Sequence, residues 1–197
     1  MSPFNFETFR QKYPDDCKTK SNNSCVLALY SIVLAGEHKD SDYWNEEHGA
    51  SDIIRLFETI FTTYDWEELE ADLKNWTTSQ LELFTEAILS GYYSYTNNGI
   101  YNDHYDIEKL TQTIPNRLNL LLPILAIEKE RDLQYHELSW IIVENSNFIN
   151  DHFEIVLQKD PQHLNTIKTI FESFARFDST DPMIITLKNK IDNVSNK

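Results

Sequence analysis

Glycine is scarce in this chain: four residues, Gly36, Gly49, Gly91 and Gly99, out of 197. Hairpin turns and phosphate-cradling loops both depend on glycine's access to positive φ. The chain is therefore not built from β-hairpins, and it contains neither GxGxxG nor GxxxxGK(S/T). Cysteine is almost as rare. Cys17 and Cys25 allow one disulfide but no disulfide framework, so a cytoplasmic protein with both thiols free is expected. No run reaches the roughly 18 apolar residues that span a bilayer. The most apolar stretch, Cys25 to Ala35, follows Asp15 and Asp16 and reads as a buried helix, not as a signal segment. Basic residues are outnumbered: 17 Lys and Arg face 32 Asp and Glu, for a net charge of −15. That balance argues against nucleic acid and anionic membranes as direct partners. No GxSxG, HExxH or CxxC occurs, and no specific catalytic signature stands in their place.

What is present is apolar periodicity at helical spacing. With 41% apolar and 13% aromatic residues, the chain can bury a sizeable core. Ser2-Pro3 reads as a cap followed by a first-turn proline, with Phe6, Phe9 and Tyr13 on one stripe and Pro14 as the stop. Ser24 is placed to cap the apolar run that ends at Gly36, and Asp52 to open a helix carrying Ile53, Phe57 and Ile60. Asp65-x-x-Glu68 and Thr77-x-x-Gln80 have the form of two capping boxes, and Gly91 closes the helix after the second. The two adjacent caps predict an αα-hairpin. A loop rich in Tyr and Asn follows from Tyr92 to Asp103. Further helices are expected over 106–113, 117–130, 134–144, 147–158, 161–175 and 182–192, with Pro123 kinking the second of them. The expectation is an all-α chain of about ten helices packed as antiparallel pairs. It forms a single domain over 1–197, with a sub-domain boundary in the loop 92–105. Asn102-Asp103-His104-Tyr105-Asp106-Ile107 echoes Asn150-Asp151-His152-Phe153-Glu154-Ile155 at a spacing compatible with a short HEAT-like array.

The densest chemical feature is an acidic block from Glu37 to Asp72. Twelve carboxylates there face only Lys39 and Arg55, which concentrates ten of the fifteen net negative charges in 36 residues. Such a block is either a solvated face or a docking surface whose field attracts a basic protein. The residues assigned to a docking role are Glu46, Glu47, Asp65, Trp66, Glu67, Glu68, Glu70 and Asp72, with Tyr92, Tyr93 and Tyr95 as aromatic anchors. Trp44 is a further anchor candidate.

Other clusters carry less. His38-x-Asp40-x-Asp42 and Glu46-Glu47-His48 supply hard ligands but lack the order of a calcium or zinc loop, so no metal and no cofactor are expected. Asp103-His104 and Asp151-His152 reverse the His-Asp order of HD-type phosphohydrolases and read as helix caps with a first-turn histidine. Cys25, entering a long apolar helix, has the position of a thiol armed by a helix dipole. Two functions follow as expectations. The first is a non-enzymatic acidic module that binds a basic protein, most concretely an immunity- or antitoxin-type inhibitor of a nuclease-like toxin. The alternative is a hydrolase or transferase using Cys25.

Overall fold

The computed structural model describes residues 6–39, 44, 49–97, 107–133, 136–177 and 180–196; at residues 9, 90–97 and 107–110 the description covers the backbone alone. Ten α-helices and no strand occur among the described residues. In order they are α1 (Phe6–Lys12), α2 (Ser24–Glu37), α3 (Gly49–Thr59), α4 (Thr63–Leu73), α5 (Thr78–Asn97), α6 (Ile107–Glu130), α7 (Glu137–Glu144), α8 (Ser146–Lys159), α9 (His163–Glu172) and α10 (Pro182–Ser195), with a 3-10 turn at Ser173–Arg176. The all-α class is the one that the helical periodicity predicts. The chain divides into two compact units, Met1–Leu110 and Thr111–Lys197.

In the first unit α2 is the hub, packed against α1, α3, α4 and α5. A helix apolar on nearly every side is stable only when surrounded, and Val26 and Leu29 to Gly36 are all buried. Its cap is Asn23, not Ser24: Asn23 Oδ1 accepts from the N–H groups of Cys25 (2.8 Å) and Val26 (3.2 Å). Helix α3 starts at Gly49, ahead of the expected Asp52, and buries Ile53, Ile54 and Phe57. Phe57 joins an aromatic cluster with Phe61 and Trp66 at centroid distances of 4.9 and 4.4 Å. Trp76 lies between Tyr30 and Phe84 at 5.0 and 5.3 Å. Helix α5 packs on α3 and α2, while α4 packs on α2, so the α4–α5 hairpin is not the principal pairing among the described residues. Helix α5 also continues through Gly91 to Asn97. Glycine inside a helix costs only about 1 kcal/mol, too little to stop it.

Two glycines have a packing role. Trp44 is 3% exposed, and its indole lies against Gly36 of α2 and Gly49 of α3. A Cβ on Gly36 would sit 2.7 Å from Trp44 Cε3, and one on Gly49 would sit closer still and near the Trp44 backbone. Gly49→Ala should therefore destabilise the chain by about 1–3 kcal/mol through overpacking. Urea denaturation followed by tryptophan fluorescence measures this, and a midpoint equal to wild type would show that the indole has room to move.

In the second unit, which includes α6 from Thr111, α8 is the hub against α7, α9 and α10. Helix α6 is continuous through Pro115 and Pro123, where two helices are expected from sequence. Pro115 has no N–H for the carbonyl of Thr111, four residues earlier. Lys159 Nζ donates to that carbonyl at 3.1 Å, a side-chain replacement for the missing backbone bond. Glu128, 3% exposed, performs a similar repair: its carboxylate accepts from the Ser139 N–H at 2.9 Å and from the Ser139 hydroxyl. It thereby supplies the anionic cap that His136, in the left-handed region at φ 52, does not give α7. Asp181 caps α10, its Oδ1 accepting from Met183 N–H at 2.7 Å, with Pro182 in the first turn.

Candidate functional site

The acidic block does not form one outward surface. Glu37, Asp52, Asp65 and Asp72 turn inward or sideways into the fold, whereas Glu58, Glu67, Glu68 and Glu70 reach solvent to differing degrees. Asp40, Asp42, Glu46 and Glu47 lie outside the described residues, as does the metal-ligand candidate His48.

Two of these carboxylates, Asp65 and Asp72, bind one segment. Residues 13–23 adopt no helix or strand, so their backbone groups need partners from elsewhere. Asp72, 3% exposed, takes four donors: Thr19 hydroxyl at 2.5 Å, Lys20 N–H at 2.7 Å, Asn75 Nδ2 at 2.8 Å and Trp76 Nε1 at 2.8 Å. Asp65, 6% exposed, accepts from Asn23 Nδ2 and from the N–H and hydroxyl of Thr62, each at 2.7 Å. The N-terminal box of α4 is thus Thr62-x-x-Asp65, one turn earlier than the expected Asp65-x-x-Glu68. Burial pushes the Asp65 carboxyl up, but the hydrogen bonds from Thr62 and Asn23 outweigh it and hold its pKa below the usual carboxylate value. Tyr30 Oη accepts from Lys18 N–H at 2.7 Å and faces Asp16 O and Gln80 Oε1, both at 2.9 Å. Gln80 in turn donates to Asp16 O and to Glu37, both at 2.8 Å. The second box, Thr77-x-x-Gln80, forms as expected with both bonds at 3.1 Å.

Asp65 and Asp72 are therefore structural acceptors and not members of an exposed docking face. Trp66 is half-buried against Phe57 and Phe61, and Trp44 is buried, so neither indole is displayed as an anchor. Tyr92, Tyr93 and Tyr95 fall on the last part of α5 and not in a loop; their side chains are outside the description.

What α4 does display is narrower. Glu67 and Glu70 are exposed and Glu68 is half-buried. Tyr64 is 61% exposed, and Ile60, at the end of α3, is 45% exposed. Tyr64, Glu67, Glu68 and Ala71 share one side of the helix by their spacing of three and four. A hydrogen bond to Glu68 and the charges of Glu68, Asp65 and Glu67 raise the Tyr64 phenol pKa, placing that ring in the field of three carboxylates. Toward the C-terminus the field weakens, because Lys20 and Lys74 border a depression of about 270 Å³ shared with Glu68, Asp72 and Asn75. The periodicity after Asp52 sets Ile60 and Tyr64 on the same stripe as Ile53 and Phe57; in the structure α3 ends at Thr59, and both side chains are exposed.

The remaining candidates resolve separately. His38 Nε2 pairs with Asp16 Oδ2 at 3.1 Å and its ring stacks on Tyr13 at 3.7 Å. No group of three His, Cys, Asp or Glu suited to a metal occurs among the described residues. Asp151 and His152 sit in the middle of α8 and not at its start, so Asp151 is no cap; Asp103 and His104 lie outside the described residues. Cys25 is at the start of α2, yet burial and the neighbouring Asp65 charge push its thiol up, the reverse of an armed nucleophile. Its Sγ faces Ile60 O at 4.0 Å. Cys17 is likewise raised by burial. Among the described residues, no helix is long and apolar enough to cross a membrane. No family model, curated protein or solved structure matches the chain.

Proposed function

We propose that the chain is a non-enzymatic protein-binding module whose α4 surface docks a basic protein partner. Its most concrete form is an immunity- or antitoxin-type inhibitor that neutralises a basic, nuclease-like toxin. The observation that carries this reading is the division of labour within α4. Asp65 and Asp72 fasten the helix from inside, while exposed Glu67 and half-buried Glu68 share the side of exposed Tyr64, and Glu70 also reaches solvent. Carboxylates on a rigid helix have little order left to lose on binding, and an exposed tyrosine among them supplies contact area at low entropy cost. A nuclease cleft is basic because it binds phosphate, so an acidic helix with an aromatic centre is complementary to it. The cysteine-enzyme alternative loses support from the raised Cys25 thiol.

Capture from a lysate of the source cell at low salt, followed by purification of the captured protein, provides the partner. The triple variant Glu67→Gln, Glu68→Gln, Glu70→Gln should then associate about ten-fold more slowly at low ionic strength, with the difference vanishing near 1 M salt. Cys25→Ser should leave the rate unchanged. An unaltered rate and salt slope in the triple variant would remove α4 from the interface, and capture of an acidic partner would overturn the reading altogether.

A further inference from the structure

We propose that the second unit is an acid-sensitive switch, triggered by protonation of His152 in the core beside Arg117. His152 is 2% exposed in the middle of α8, the helix on which α7, α9 and α10 all pack. Its Nδ1 lies 2.7 Å from Phe148 O, and a carbonyl can only accept, so Nδ1 carries the proton of the neutral ring. The imidazole lies 4.6 Å from the Phe148 ring, and the guanidinium carbon of Arg117 lies 4.5 Å from the same ring. Arg117, from α6, is 1% exposed and carries a permanent charge. One phenyl ring thus contacts both a fixed cation and a titratable ring.

Acidification puts the second proton on Nε2 and adds a positive charge to a ring that is 2% exposed. Arg117 from α6 and exposed Asp151 from its own helix act on His152, and Lys190 of α10 stands close by, donating to Asn150 O and lying 5.7 Å from the Phe153 ring. Burial lowers the imidazole pKa, the bond to Phe148 O opposes this, and Arg117 lowers it further against the weaker pull of Asp151. The net direction is below 6.5. The unfolded chain therefore takes up this proton first as pH falls. Stability of the unit is complete above about 6.5, declines as pH drops toward the folded pKa and is level below it. Because α8 is the hub, its docking loosens.

Proton-resolved NMR of the full chain and amide hydrogen exchange, corrected for intrinsic pH dependence, test this together. His152 should titrate below 6.5. Protection of α8 amides should fall up to ten-fold for each pH unit through that window, while α2 amides change little. His152→Asn, whose amide N–H still reaches a carbonyl, should abolish the pH dependence in α8. Arg117→Met should return the His152 titration toward 6.5. Titration of His152 at or above 6.5, or an undiminished acid response in His152→Asn, would overturn the proposal. Should His152→Asn not fold, the wild-type titration and the Arg117→Met shift decide it.

Discussion

Asp72→Ala should destabilise the first unit by about 3–5 kcal/mol, the largest effect expected from any exchange in the acidic block. The magnitude follows from what the substitution abandons. Four donors converge on the carboxylate, two from the irregular segment before α2 and two from the turn after α4. Each bond to a charged acceptor is worth about 1.5–3 kcal/mol, and a buried donor left without an acceptor adds its desolvation penalty. These terms overlap, because Asn75 and the Lys20 backbone can recover water at the surface while Trp76 Nε1, in a side chain 1% exposed, cannot. Helix electrostatics do not explain the residue's presence, since a carboxylate in the last turn of α4 faces the negative end of the dipole. Its role is as a fastener. Asp72→Asn keeps one acceptor oxygen but turns an N–H toward the donors, so it should cost about half as much. Urea denaturation gives both values, with Trp76 as a natural probe. A loss below about 1 kcal/mol for Asp72→Ala would mean that the four bonds do not hold residues 19 and 20 in place.

The fold class was legible because it rests on periodicity, a local property. Ile53 with Phe57 marks a buried face that the structure retains. The second capping box was legible for the same reason: both of its partners, Thr77 and Gln80, lie within four residues. The first was read one turn late, as Thr62, Asp65 and Glu68 offer two overlapping patterns. The choice is made by Asn23, 42 positions away in sequence, which draws Asp65 inward. Asp65 and Asp72 depart from the exposed face for a related reason. A run of charge is usually solvated, and donors from residues 19–23, joined by Thr62, Asn75 and Trp76, draw these two inward. Pro115 shows the same limit. It cannot donate to the Thr111 carbonyl, and the donor that does, Lys159, lies 48 positions beyond Thr111 in sequence. Local grammar locates helices; the interior role of a polar residue depends on distant partners that spacing does not encode.

Asp65→Asn should cost about 2–4 kcal/mol at neutral pH, and this deficit should shrink in acid. The carboxylate holds three donors that an amide oxygen cannot all retain. Its folded pKa lies below the ordinary 3.8, so the wild-type advantage is present above about pH 3.8 and disappears as pH falls through the folded value. Asparagine has no such proton, so the gap between the two proteins should narrow as pH falls below about 3.8. Parallel urea titrations from pH 7 to pH 2.5 measure the gap; a constant difference across that range would show that Asp65 is not ionised in the folded chain. A second readout comes from the same carboxylate's neighbour. Asp65 raises the Cys25 thiol through its charge and hydrogen bond, after the larger effect of burial. Removing the charge should therefore speed alkylation of Cys25 at neutral pH relative to wild type. Loss of stability with accelerated alkylation identifies one residue as both the lock on α4 and the group that keeps a helix-start cysteine inert.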